Sequence, residues 1–111
     1  MTLFEWLLLG HLVGDFLLQT RWMAERKTTQ WYPMVVHCTV YTAVVSLFAR
    51  AAGGLSPLAV AFIFVSHLFL DKRKFAEFWV KNLNGSENSN WLKIMIDQVW
   101  HLLALAVATL I

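Results

Sequence analysis

Cysteine is almost missing from this chain: Cys38 is the single one in 111 residues. An intrachain disulfide is therefore excluded, as is a thiolate metal cluster, and Cys38 is expected to be a free buried thiol. Proline occurs only at Pro33 and Pro57. Pro33 suits the first turn of a helix, while Pro57 with Gly53 and Gly54 marks a tight turn. Charge is also scarce, at 14% of residues with a formal net charge of +2, so the overall balance points to no particular partner. No basic residue precedes the first apolar run and no small-residue cleavage pattern follows it, which argues against a secretory signal. There is no internal repeat of any length, although the order H-x-x-x-D occurs at both His11/Asp15 and His67/Asp71.

What the chain has in abundance is apolar surface: 59% hydrophobic residues and a mean hydropathy of +0.57. A membrane-spanning helix needs about 20 mostly apolar residues. Four stretches approach that, at residues 3–20, 31–52, 56–71 and 91–111. The third is the shortest and needs a continuation or a thinned bilayer. The length bounds a single domain, and the expected fold is an all-α membrane protein, an antiparallel bundle of four transmembrane helices. Beyond Asp71, the residues Phe75, Phe78 and Trp79 recur at helical spacing with Lys72, Lys74 and Lys81 between them. That pattern predicts a short amphipathic interfacial helix between the third and fourth spans.

Eight of the nine Lys and Arg residues fall on one side of such a bundle, in its two connections or at the mouth of the fourth stretch: Arg21, Arg26, Lys27, Lys72, Arg73, Lys74, Lys81 and Lys93. Arg50 is on the other. This asymmetry makes the basic loops cytoplasmic and puts both termini outside. Trp22, Trp31, Trp79 and Trp91 fall near the same boundary, as an aromatic belt would. The polar run NGSENSN at 84–90 reads as a loop whose last residue, Asn90, is placed to cap the fourth helix. Gly10 and Gly14 form a small-xxx-small pair that lets a second helix approach closely.

The chemistry lies in the polar residues of the apolar stretches. His11/Asp15, His67/Asp71 and Asp97/His101 are each four residues apart, hence one turn apart on one helix face. His37 has Tyr41 at the same spacing. In the outward-running fourth helix the order reverses, so each Asp stays nearer the cytoplasm and each His deeper. At about 1.5 Å per residue, all seven groups lie within ~15 Å of the inner helix ends, where a bundle can gather them. Imidazole and carboxylate are ligands for zinc, iron or manganese, so His11, Asp15, His37, His67, Asp71, Asp97 and His101 form a candidate site for a divalent metal ion. It could hold one ion, or two bridged by a carboxylate. Asp15, Asp71 and Asp97 are the candidate catalytic carboxylates, acting on metal-bound water. The competing structural reading makes each pair polar glue between helices. Gln19 and Gln98 could orient ligands or join helices. Lys27, Arg73 and Lys74 could meet an anionic head group, or serve only as topology determinants. Tyr41 could donate to a ligand or pack. Ser66 is too generic for a nucleophile, and Glu5, Glu25, Glu77 and Glu87 lie outside the cluster.

The segments GHLVGDFLLQTRWMAERK at 10–27, SHLFLDKRK at 66–74 and DQVWH at 97–101 resemble a small bacterial membrane-protein family, domain of unknown function 3307. The resemblance runs along essentially the whole chain and marks His11, Asp15, Gln19, Lys27, His37, His67, Asp71, Lys74, Asp97, Gln98 and His101. It implies a helical protein of the bacterial inner membrane and carries no established activity. From the residues, three functions compete: a metal-dependent membrane hydrolase acting from the cytoplasmic leaflet, a transporter of metal ions or protons, and a non-catalytic accessory subunit of a larger membrane complex. Expected partners are membrane lipids and a second copy or larger assembly, not nucleic acid. No substrate pocket is evident in so short a chain.

Overall fold

The computed structural model describes residues 1–72, 74–85 and 90–111. Arg73 and Glu87, both considered above, lie outside them. The described chain is helical with no strand: α1 (Leu3–Leu12), α2 (Arg21–Arg26), α3 (Trp31–Ala49), α4 (Pro57–Asp71), α5 (Lys74–Trp79) and α6 (Asn90–Ala108). Local chemistry sets several of the ends. Thr2 and Glu5 form a reciprocal capping box at the start of α1, with bonds of 2.9 and 3.2 Å, which satisfies two of the helix's unpaired amides. The Ser56 hydroxyl accepts from the Ala59 amide, and Pro57 occupies the first turn of α4. A 3-10 turn at Arg50–Ala52 ends α3, and the chain reverses through Gly53 and Gly54 at φ +102° and +89°. That left-handed backbone favours glycine.

The first apolar stretch is not one α-helix to residue 20. At Val13 it widens into a π-helical turn, Val13–Leu17, closed by the bond from the Leu18 amide to the Val13 carbonyl at 2.9 Å. The Gln19 side-chain amide then donates to the Asp15 carbonyl, and the helix stops. Such turns are often found at functional sites, and this one carries Asp15. The expected short helix after Asp71 is α5, which runs on as a π-helical turn, Val80–Asn84, to Gly85. Its Phe75 and Trp79 pack on Trp100 of α6, with ring centroids 5.0 and 5.1 Å away.

α1 packs on α3, α3 on α4, α4 on α6 and α6 on α1, so the four helices close a ring. The expectation of four helices each long enough to cross a membrane needs correction. Two pass that test of length and hydropathy: Trp31–Ala52, counting the 3-10 turn, and Asn90–Ala108. α4 has 15 residues and α1 only 10 before the π turn; at about 1.5 Å per residue these reach ~22 and ~15 Å.

The apolar core comprises Leu7, Tyr41, Val45, Ala49, Ala59, Ile63, Leu105 and Ala108. These positions belong to the end of the ring where α3 and α6 finish and α1 and α4 begin. Gly10 and Gly14 face α3: a Cβ on Gly10 would lie 2.9 Å from the Val45 Cα, and one on Gly14 3.1 Å from the Tyr41 ring. The close contact of α1 with α3 thus depends on two missing side chains. The outer faces are apolar too. Leu9, Leu12 and Phe16, then Val35 and Leu47, then Leu58, Val65 and Phe69, then Met95, Val99, Leu103 and Val107 are all exposed.

A candidate metal centre

The opposite end of the ring is polar inside. Asp15 enters from the π turn, His37 from the second turn of α3, His67 and Asp71 from the last turns of α4, and Asp97 and His101 from the middle of α6. All six are buried, as are His11 and Lys27.

Four of these side chains converge on one point. His37 Nε2 lies 2.9 Å from His67 Nε2, 3.0 Å from Asp15 Oδ1 and 2.9 Å from Asp71 Oδ2. His67 Nε2 lies 3.2 Å from Asp71 Oδ2 and 3.6 Å from Asp15 Oδ1. Four ligands about 2.0–2.1 Å from a shared tetrahedral centre would have edges of about 3.3–3.4 Å, and the observed separations bracket that value. Protons alone satisfy the arrangement poorly. A neutral imidazole offers one N–H, yet His37 Nε2 faces three acceptors at nearly equal distance, and two ring nitrogens point at one another. A cation at the centre meets all four lone pairs together. The four donor atoms lie within 4.8 Å of one another, and the donor set, two imidazoles and two carboxylates, could hold a metal ion of the zinc, iron or manganese type.

The surrounding groups hold this set in place. Tyr41 stacks on the His67 ring, with centroids 3.8 Å apart and planes at 16°. Lys27, only 3% exposed, donates to Asp71 Oδ2 and to Gln19 Oε1, each at 2.5 Å. An ammonium buried this far is rare unless it is paired. The charges do not cancel: three carboxylates (Asp15, Asp71, Asp97) against the Lys27 ammonium leave two negative charges when every imidazole is neutral. One divalent cation brings that sum to zero.

Not every residue singled out in the sequence reaches this point. His11 is held elsewhere: the Tyr41 hydroxyl donates to its Nδ1 at 2.7 Å, and its Nε2–H donates to Gln98 Oε1 at 2.7 Å. With both ring nitrogens engaged, His11 has no lone pair for a metal, although Asp15 Oδ2 is 3.8 Å away. Gln98 therefore joins α1 to α6, and Gln19 holds Lys27. Lys74 is exposed on α5, and Ser66 bonds back to the Ile63 carbonyl. The free thiol of Cys38 is buried against Met34 Sδ.

His101 and Asp97 form a second group with Asp71, their donor atoms again within 4.8 Å of one another. Beside them, between α5 and α6, is a cleft of about 420 Å³ lined by Ala76, Glu77, Asn90, Lys93, Ile94 and Asp97. Spacing along the chain does not reveal it, because it depends on how α5 folds back on α6.

The chain belongs to the family described as Protein of unknown function (DUF3307), whose model matches residues 3–111. No curated protein and no solved structure matches it.

Proposed function

We propose that this member of the family is a membrane-embedded metalloprotein, and that its reaction is hydrolysis of an amphiphilic substrate reached from the side where the basic loops lie. The metal assignment rests on one observation: His37 Nε2, His67 Nε2, Asp15 Oδ1 and Asp71 Oδ2 converge, with separations of 2.9–3.6 Å that bracket the edge of a tetrahedral site. Bound there, a divalent zinc, iron or manganese ion would supply Lewis acidity and a more acidic water.

Membrane placement draws support from the apolar outer faces of all four ring helices around a polar interior, from the two helices of spanning length and from the one-sided basic residues. The proposed topology has four spans with both termini outside, in the cytoplasmic membrane of a bacterium. α1 and α4 are the short spans, accommodated by local thinning. An exposed face of this size and composition would otherwise be an aggregation hazard.

Hydrolysis is favoured over transport by where the polar groups stop. Beyond Tyr41 the ring closes into the packed apolar core. Thr42 and Ser46 contribute hydroxyls to that half of α3, but neither carries charge. A cation or proton would have no carboxylate or imidazole relay there among the described residues. By contrast, the cluster opens sideways: of the three aspartates, Asp97 lines the cleft beside Lys93. Asp15 and Asp71 hold the ion and Lys27 fixes Asp71, while a substrate head group would enter past Asp97.

The test is turnover of long-chain chromogenic phosphate and carboxylate esters by manganese- or zinc-loaded protein in detergent. The account expects hydrolysis that disappears in His67→Ala, which loses the ion. Metal-bound protein that turns over neither ester class would remove the hydrolase assignment and leave a metal-binding protein.

A further inference from the structure

His101 marks a second opening in the same cluster. Its Nδ1–H donates to the Asp97 backbone carbonyl at 2.7 Å, so in the neutral ring Nε2 carries the lone pair. That Nε2 belongs to a side chain 2% exposed and makes no hydrogen bond. It points at Asp71 Oδ1, 3.3 Å away. With the ring neutral, two electron-pair donors face one another in a buried place. The 3.3 Å separation matches the edge between two ligands of one small tetrahedral cation, about 3.3–3.4 Å.

Asp71 has its two oxygens divided between the two places. Oδ2 faces His37 and His67, and Oδ1 faces His101. Asp97 completes the second group and also lines the 420 Å³ cleft. We propose that the chain binds a second divalent cation at Asp71 Oδ1, His101 Nε2 and Asp97, bridged to the first through the Asp71 carboxylate and open to the cleft. This rests on the metalloprotein reading above. Three protein ligands leave positions for water or substrate, as open sites do. Paired ions of this kind lie about 3.5–4 Å apart and grip the attacking and leaving oxygens of one displacement.

The charge sum makes the second ion bind more weakly than the first, and the four-donor group fills before the three-donor one. One divalent ion neutralises the cluster, so the second adds a surplus of two positive charges. It is therefore the weaker subsite, and it directs an anionic group, such as a phosphate ester, to the cleft.

Manganese(II) titration of the purified full chain in detergent tests this, with ions per chain counted by elemental mass spectrometry and their coupling read by electron paramagnetic resonance. The expected result is two ions per chain with an exchange-coupled spectrum. Asp97→Ala and His101→Ala should each keep one ion and give an uncoupled six-line spectrum. A single ion in the wild type, unchanged in both variants, would overturn the second subsite and leave the first intact. One ion lost in Asp97→Ala but kept in His67→Ala would place the ion in the wrong group and overturn both. Wild-type protein that stays folded and binds none would also overturn both. Circular dichroism of each variant separates lost binding from lost fold.

Discussion

Replacing Lys27 by Met should make the metal-free protein much less stable and the metal tighter. The ammonium is buried and bonded to Asp71 Oδ2 and Gln19 Oε1. Removing one partner of a buried ion pair costs about 3–5 kcal/mol, because the other charge is left uncompensated. Without a metal, the cluster of three aspartates goes from two net negative charges to three. With one divalent ion bound it goes only from zero to minus one, so the cost is smaller. By linkage, the difference between the two costs reappears as tighter binding, tenfold for every ~1.4 kcal/mol. Two unit charges about 4 Å apart interact by about 4 kcal/mol at an effective dielectric of 20. Relief of the Lys27–metal repulsion therefore outweighs any looser hold on Asp71, and at least a tenfold gain in affinity is expected. The assay is thermal unfolding in detergent with and without manganese, alongside a metal titration. Equal destabilisation in both states with unchanged affinity would refute the reasoning, since Lys27 would then not sense the ion.

Other outcomes follow from the same geometry. His11→Ala should keep its metal, since both ring nitrogens are committed to Tyr41 and Gln98; loss of the ion by elemental analysis would restore His11 as a ligand. Gly10→Ala should lower stability by about 1–3 kcal/mol through overpacking, because the new Cβ meets the Val45 Cα at 2.9 Å, and an unchanged melting temperature would count against the α1–α3 contact. Tyr41→Phe keeps the stacking on His67 but loses the 2.7 Å bond to the buried His11 Nδ1; a cost of about 1–3 kcal/mol with metal retained is expected. Chelation should lower the melting temperature of the wild type, and readdition of metal at 100 times its dissociation constant should return about 2.7 kcal/mol.

The helical class was legible because hydropathy marks each apolar stretch, and an i, i+4 pair of His with Asp or Tyr marks the inward face of each. That same spacing put His67, Asp71, Asp97 and His101 on the correct faces, and reversal of order in α6 kept them at one depth. Spacing could not show that α1 widens at Val13, since the π turn depends on Gly14 packing against Tyr41 and on Gln19 bonding back to Asp15. Nor could it separate His11 from the other histidines. Its exclusion comes from Tyr41 and Gln98 on two different helices, a contact across 30 and 87 residues. Lys27 reads in the sequence as a basic loop residue that could meet an anionic head group, not as a partner of Asp71. Only the return of α2 over α3 buries it against Asp71.

The central claim is that a cation belongs among His37, His67, Asp15 and Asp71. Elemental mass spectrometry of the protein purified without a histidine tag, beside His67→Ala, tests it most directly. At least one zinc, iron or manganese per chain in the wild type, lost in folded His67→Ala, is the predicted result. Folded wild-type protein that holds no metal, even after incubation with each of the three, would contradict it.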